Sequence, residues 1–439
     1  MTLRTATRIM EPFGGPVDAI VQVPGSKSFT NRALVCAALA EGTSTLEGVL
    51  ESDDTEAMFG CLDMLGVVVD HDPIRHRATV TGSAGASRRS DVVLDVRQSG
   101  TTARFVTPMA ALGSGRFVID GHPQMRARPM GDLVGALTEL GVRLAGADRL
   151  PLTVEAAGVR GGRVSISGTA SSQFLSGLLL SAPYFAEGLT VEVQGELVSK
   201  PYVDMTIATM QAFGASIDRR DHSWFRVEPT GYRACDYRIE PDASAASYFF
   251  AAAAITGGRV RVEGLGRDTL QGDIEFVDIL KSMGCAVQRS TDAMTVEGPE
   301  QLRGTDVDMR NCSDTAQTLA AVAVFADGPT RVRGIGFIRR KETDRIAAVI
   351  RELDRCGIDA AEEADGFLVQ PGMPSPAEVE TYDDHRMAMS FALLGLRAPG
   401  IVICDPGCVA KTFPDYFDVL ETQRPSALAG VGGVGGVGG

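Results

Sequence analysis

The chain has 439 residues, 44% hydrophobic and 22% charged, the balance of a soluble globular protein and too long for one ordinary core. A net charge of −14 argues against a nucleic-acid partner, which needs a broad basic surface, and no apolar run approaches the roughly 20 residues of a membrane helix. Eight scattered cysteines and a start without a signal-peptide core point to reduced thiols and a cytoplasmic location; Cys404 and Cys408 lack a second ligand pair, so no metal is expected.

In chain order, residues 24–32 read PGSKSFTNR. Gly-Ser-Lys-Ser looks like the end of a P-loop, but no glycine lies at the upstream position that a P-loop requires. What remains is a cationic turn before the apolar run ALVCAALA at 33–40, where the free N–H groups and dipole of a helix start favour anions. A helix with a glycine C-cap is predicted over 31–42, an alternating strand over 43–49, and a second helix over 54–66, acidic at its start and closed by glycine. Strands follow at 67–72, 78–82 and 92–96. Two helices and about four strands per unit make an α/β arrangement whose strands need cover on at least one face.

The unit recurs. Gly66, Gly141, Gly214, Gly284 and Gly357 lie 75, 73, 70 and 73 residues apart, and Gly42, Gly115, Gly188, Gly258, Gly328 and Gly400 lie 73, 73, 70, 70 and 72 apart. Two glycine ladders of one period imply six units. A polar stretch at 234–244 divides them into two groups of three with a cleft between. The tail 426–439 is expected to be a flexible Gly/Val segment; its formal match to G-x-G-x-x-G has no strand before it and no helix after it.

If the units stack in register, their first helices enter at one place. Those entrances are SKSFTNR at 26–32, QSGTTAR at 98–104, SSQ at 171–173, DASAAS at 242–247, CSDTAQ at 312–317 and DDHRMA at 383–388. Ser, Thr and Asp there are good N-caps, and capping is the expected role of 242–247, which has no cation. At 339–345, RRKETDR crowds four cations onto a helix start, against its dipole, which points to an anionic partner. Lys411, on a Pro- and Gly-bounded loop, reads by itself as a solvated lysine.

PGSKSFTNRA, SGTTARF, RARP at 126–129, SSQFLSGLL, LVSKPYVDMT, QGD at 271–273, KETDR, DDHRMAM and AKTFPDYF occur in the order found in the 5-enolpyruvylshikimate-3-phosphate (EPSP) synthase family, and the chain resembles that family from about 24 to 417. The resemblance implies an α/β enolpyruvyl transferase fold, each domain of three βαβαββ units, with the active site in the interdomain cleft. One domain would be 21–240 and the other 1–20 plus 241–425. The implied reaction moves the enolpyruvyl group of phosphoenolpyruvate to the 5-hydroxyl of shikimate 3-phosphate through a tetrahedral intermediate, with domain closure, no cofactor and a monomeric enzyme. Lys27, Ser28, Arg32, Ser171, Ser172, Gln173, Ser199, Tyr202, Asp314 and Lys341 would bind shikimate 3-phosphate. Lys27, Gly100, Thr101, Arg128, Gln173, Arg345, Arg386 and Lys411 would bind phosphoenolpyruvate. Asp314 would be the base for the hydroxyl, Glu342 the proton-transfer group at the methylene, and Lys27 an aid to phosphate departure.

Gln98, Thr102, Phe105 and Phe337 depart from the family's common residues, and the changes at 102 and 105 bear on the turn where glyphosate binds in that family. The related UDP-N-acetylglucosamine enolpyruvyl transferases usually carry a reactive Cys or Asp on a loop of the second unit; residues 113–129 have no cysteine, and Asp120 falls at an expected strand end. A non-catalytic relative would not be expected to keep Lys27, Asp314, Glu342, Arg345, Arg386 and Lys411 together.

Overall fold

The computed structural model describes residues 6–425 apart from 86, 147 and 170. The glycine-rich tail 426–439 lies outside the described residues.

Each unit pairs two kinds of helix. Lys27–Leu39, Gly100–Ala111, Ser172–Ser181, Ala243–Thr256 and His385–Ala392 are buried on nearly every side, as expected of helices rich in Ala, Leu and Phe all round. Their companions, such as Asp53–Met64 and Arg345–Arg355, keep a polar face in solvent. The strands alternate buried and exposed residues, as in Thr43–Glu47 and Leu152–Ala157, so each sheet covers helices with one face only.

One sheet order recurs. Thr43–Glu47 runs parallel to Asp236–Arg238 and antiparallel to Arg77–Thr81, which carries Val68–Asp72 at the edge. The sheets built on Ser114–Asp120, Leu189–Gln194, Arg259–Glu263 and Thr330–Arg333 repeat it. The last sheet has three strands among the described residues, with Thr7–Met10 antiparallel to Ile401–Cys404. The parallel strand of the first unit comes from 236–238, and that of the fourth comes from Asp18–Val21 beside Arg259–Glu263. Buried residues accordingly form two cores. One runs from Phe29 to Ile239, and the other joins Met10, Val17, Val21 and Val23 to the residues from Ala243 to Leu420.

The chain crosses between the cores twice, side by side. Gly25 bridges Pro241, Ser26 N donates to Glu240 O at 2.8 Å, and Asp242 N donates to Pro24 O at 2.8 Å. These crossings hold the start of Lys27–Leu39 against the start of Ala243–Thr256, where Asp242 Oδ2 accepts from Lys27 N at 3.1 Å.

Three details differ from the sequence reading. The first helix ends at Leu39 with an extended cap at Ala40, so Gly42, at φ 102°, opens the strand Thr43–Glu47 rather than capping the helix. The first helix begins at Lys27 rather than 31, because Ser26 caps it by accepting from Phe29 N. In the second glycine ladder, Gly258 and Gly328 do not take a positive φ. The left-handed cap of Ala243–Thr256 is Gly257 at φ 67°, and Gly258 is small because a Cβ there would run into Val17 O.

Gly25 lies at the crossing, and a Cβ there would collide with the backbone carbonyl of Gly48. Gly25→Ala is expected to destabilise the protein by about 1–3 kcal/mol, seen as a lower midpoint in chemical denaturation.

Candidate active site

The first wall is built from helix starts. Lys27 Nζ lies 3.1 Å from Asp54 Oδ2, and Asp54 also binds Lys411 Nζ at 2.6 Å. Arg32 is buried and its donors are largely spent inside this wall, on Thr206 Oγ1 at 2.7 Å, Ser28 O at 2.8 Å and Tyr202 O at 3.0 Å, with its guanidinium 5.3 Å from the Phe105 ring centroid. Burial pushes its pKa down to about 10. Arg32 lines the cavity and also fixes the backbone at Ser28 and Tyr202. Ser171 caps the helix that presents Ser172 and Gln173, and Gln173 Nε2 reaches Thr101 Oγ1 at 3.4 Å. Ser199, buried and left-handed at φ 55°, precedes the helix of Tyr202.

Gly100 sits under two guanidiniums. A Cβ there would lie 2.7 Å from Arg128 Cζ and would overlap Arg104. Arg104 is buried and donates to Pro129 O at 2.9 Å, and its Nε and that of Arg128 have no hydrogen-bond partner among the described residues. Burial, then the charge of Arg128, holds Arg104 well below the usual guanidinium range.

The second wall is a knot of charge around Arg345. Its Nε donates to Asp384 Oδ2 at 2.8 Å and its Nη1 to Asp314 Oδ1 at 3.1 Å, while Nη2 lies 2.8 Å from Glu342 Oε2. Asp314 also pairs with Lys341 and, at 2.7 Å, with Arg386 Nη2. Arg128 crosses from the first wall to within 3.5 Å of Glu342 Oε1. Burial would raise both carboxylates, but Arg386, Lys341 and Arg345 hold Asp314 well below the usual range, and Arg345, Arg128 and Lys411 do the same to Glu342.

All ten residues assigned to shikimate 3-phosphate line one cavity of about 250 Å³, together with Arg104, Phe337 and Arg340. A smaller space of about 40 Å³ adjoins it, lined by Gly100, Glu342, Arg345 and Arg386, and it shares Lys27, Thr101, Arg128, Gln173, Asp314 and Lys341 with the first; Lys411 lines neither. Lys411 is not a solvated lysine. It is buried at the end of the turn Pro406–Lys411, bound to Asp54 and to Gln98 O at 2.9 Å. Arg339, in the same cationic run as Lys341, turns away to Asp344 and Glu362.

Sequence reasoning missed Asp54, Arg104, Asp384 and His385. Asp54 and Asp384 read as ordinary acidic residues at helix starts, and Asp384 is indeed a cap, accepting from Arg386 N at 3.0 Å. His385 is buried beside the smaller space, and neither ring nitrogen has a hydrogen-bond partner among the described residues. Burial, then the charges of Arg386 and Lys27, keeps its imidazole neutral. The departures from the family pattern also find places. Gln98 Nε2 donates across the cleft to Asp383 Oδ2 at 2.6 Å, Thr102 is buried against Ser99 Oγ, and Phe337 has Lys341 Nζ 5.8 Å from its ring centroid.

Lys27, Arg104, Arg128, Lys341, Arg345, Arg386 and Lys411 outnumber the carboxylates Asp54, Asp314, Glu342 and Asp384 among them. Repeated α/β units carrying such a cleft define a protein built to hold small, strongly anionic substrates between its two walls.

The family described as EPSP synthase (3-phosphoshikimate 1-carboxyvinyltransferase) matches residues 13–420. A 3-phosphoshikimate 1-carboxyvinyltransferase of Trichormus variabilis is 48% identical over 406 residues, covering 92% of this chain and 95% of that protein. The chloroplastic protein of that name from Brassica napus is 43% identical over 429 residues, covering 92% and 83%. The solved EPSP synthase of Acinetobacter baumannii superposes with a TM-score of 0.80 at 25% identity, covering 95% of this chain and 98% of that one. The chain belongs to the EPSP synthase family.

Asp384 is fully buried against Arg345. Asp384→Ala is expected to cost about 3 kcal/mol in unfolding free energy, measured by urea denaturation of the ligand-free protein, because it leaves part of a buried guanidinium charge uncompensated.

Proposed function

We propose that this chain transfers the enolpyruvyl group of phosphoenolpyruvate to the 5-hydroxyl of shikimate 3-phosphate in the cleft between 21–240 and the body formed by 1–20 and 241–425. The observation that carries this reading is the pair of adjoining cavities. The acceptor residues line the larger; among the donor residues Gly100, Arg345 and Arg386 line the smaller, Lys27, Thr101, Arg128 and Gln173 line both together with Asp314 and Lys341, and Lys411 lines neither but binds Asp54, which lines the smaller. The eight scattered thiols suit the cytoplasm.

Shikimate 3-phosphate would enter the larger cavity, its phosphate and carboxylate held by Ser171, Ser172, Gln173, Ser199, Lys27, Arg32 and Lys341, with Ser28 and Tyr202 in the same wall. Phosphoenolpyruvate would lie across Gly100, with Arg128, Arg345, Arg386 and Lys411 around its carboxylate and phosphate and Thr101 at its side. Guanidiniums suit both groups because they offer parallel donors. Asp314 faces the acceptor and removes the hydroxyl proton as the oxygen attacks C2. Glu342 serves C3. In the free protein it is held ionised by Arg345 and Arg128. A bound anion claims those cations and weakens their hold on Glu342, which takes up a proton from water as the substrates bind, gives it to the methylene, and recovers it when phosphate leaves. Lys27 stabilises the departing phosphate. Contacts from wall to wall, among them Lys411 to Asp54 and Gln98 to Asp383, give the closed arrangement that excludes water during these steps.

Phosphate release from a mixture of shikimate 3-phosphate and phosphoenolpyruvate, without added metal, is the expected result; release with UDP-N-acetylglucosamine in place of the first would overturn the acceptor assignment. Glu342→Gln should lower kcat by about 10²-fold with modest change in KM, and near-normal turnover would remove Glu342 from the mechanism.

A further inference from the structure

Asp314 is awkwardly placed for a base. It touches Lys341, Arg345 and Arg386, whose charges stabilise the ionised form that must give way when it takes a proton. A proton received there needs somewhere to go. Beside it lies a second carboxylate with opposite surroundings. Asp273, in the turn Gly272–Glu275, is 5% exposed. Its Oδ1 has no hydrogen-bond partner among the described residues, and its Oδ2 accepts from the Ser244 hydroxyl and, at 3.0 Å, from the Tyr202 hydroxyl. The same phenol oxygen lies 3.4 Å from Asp314 Oδ2. Tyr202 belongs to the first wall, in the helix Lys200–Ala212, while both carboxylates belong to the second.

We infer that Asp314, Tyr202 and Asp273 form a proton path, along which the hydrogen leaving the 5-hydroxyl passes from Asp314 through the Tyr202 oxygen and rests on Asp273. The inference rests on the reading of Asp314 as the base. As the O5–H bond breaks, its electron pair becomes the bond from O5 to C2 and Asp314 takes the proton. Asp314 then protonates the Tyr202 oxygen while the phenolic hydrogen moves to Asp273 Oδ2. When the tetrahedral adduct breaks down, the path runs in reverse and the proton leaves with inorganic phosphate. No oxidant or reductant is involved.

The surroundings of Asp273 fit a resting place for a proton. Asp242 and Ser244 face it from the start of Ala243–Thr256, Tyr202 from the first wall, Asp314 from the turn Ser313–Thr315, and Arg386 from His385–Ala392. Burial, then the charge of Asp314, pushes its pKa up to about 6, against Arg386 and the Ser244 hydrogen bond. It is thus ionised at neutral pH and close to taking a proton. Burial, then the charges of Asp273 and Asp314, keeps the Tyr202 phenol protonated, so a hydrogen is always there to pass on. Because Tyr202 reaches over from the other wall, the path is complete only while the cleft is shut. Asp273 acts through Tyr202 and is a positioning residue for the proton, with no contact to the substrate of its own.

Asp273→Asn keeps the shape and one acceptor oxygen but cannot hold the proton as Asp273 does. Single-turnover phosphate release with shikimate 3-phosphate and phosphoenolpyruvate, measured against pH, reads its role. The wild-type rate should fall on the acid side with a midpoint near 6, as Asp273 becomes protonated before the reaction. The Asn variant should be about tenfold slower or more, lose that acid limb, and keep both KM values within about twofold. A wild-type rate in the variant, or a slower rate with the acid limb unmoved, would overturn the path. Ser244→Ala gives a second reading, also usable if the Asn variant does not fold. Loss of the hydroxyl that supports the charged carboxylate should move the acid limb to higher pH, and an unmoved limb counts against the path. Absence of phosphate release by the wild-type protein would instead overturn the functional reading, and the path with it.

Discussion

The structure turns on the burial of Arg345. A guanidinium taken out of water is tolerated only if carboxylates meet it, and here Asp384, Asp314 and Glu342 come from three separate segments to do so. Each of those carboxylates has a second duty. Asp384 caps the helix that starts at His385 and so aims Arg386; Asp314 gathers Lys341 and Arg386; Glu342 draws Arg128 across the cleft. Displacing one member therefore disturbs the others, and the geometry of two substrate sites is tied to one buried charge.

The cleft around the knot is left with positive charge that no carboxylate compensates. Arg104 has no carboxylate within ion-pair distance among the described residues, the Nε atoms of Arg104 and Arg128 donate to nothing, and Glu342 Oε2, though 2.8 Å from Arg345, is poorly aligned for a hydrogen bond. Unsatisfied donors in a dry cleft are costly until an anion arrives, and this gives two polyanionic substrates their purchase. The same positive field explains the division of labour among the acids. Asp314 and Glu342 sit inside it and stay ionised, whereas Asp273 lies at its margin, beside another carboxylate, and is pushed the opposite way.

Much of this was legible beforehand because it depends on local chemistry. The glycines at 66, 141, 214, 284 and 357 all take a positive φ, a requirement that only the residue itself could signal, and helix entrances at Ser26, Ser99, Ser171, Asp242 and Asp384 are capped by their own side chains. The entrance at 312–317 is different, opening with a 3-10 turn at Ser313–Thr315 and no side-chain cap, which leaves the Asp314 carboxylate for the cations around it. In the cationic run at 339–345 the charges alone make Arg339 and Lys341 alike; the family resemblance singled out Lys341, and their directions are set by acids at 344, 362 and 314. Asp54 was hidden for a related reason. An acid at a helix start looks like a cap until Lys27 and Lys411 are seen to converge on it.

The amino-acid sequence by itself determined the repeating unit, the anion-seeking helix starts and the family, because periodicity, capping and short motifs are properties of neighbouring residues. Only the tertiary structure decided which charges are spent on one another and which remain for substrates. Lys411 became a buried cation, Arg32 became half a structural brace, and Tyr202 came to stand between two carboxylates of the opposite wall. Those outcomes depend on residues up to 357 positions apart, such as Lys411 and Asp54, meeting in a space from which water is largely excluded. There the strength of each charge is set by burial and by its neighbours, neither of which a linear sequence contains.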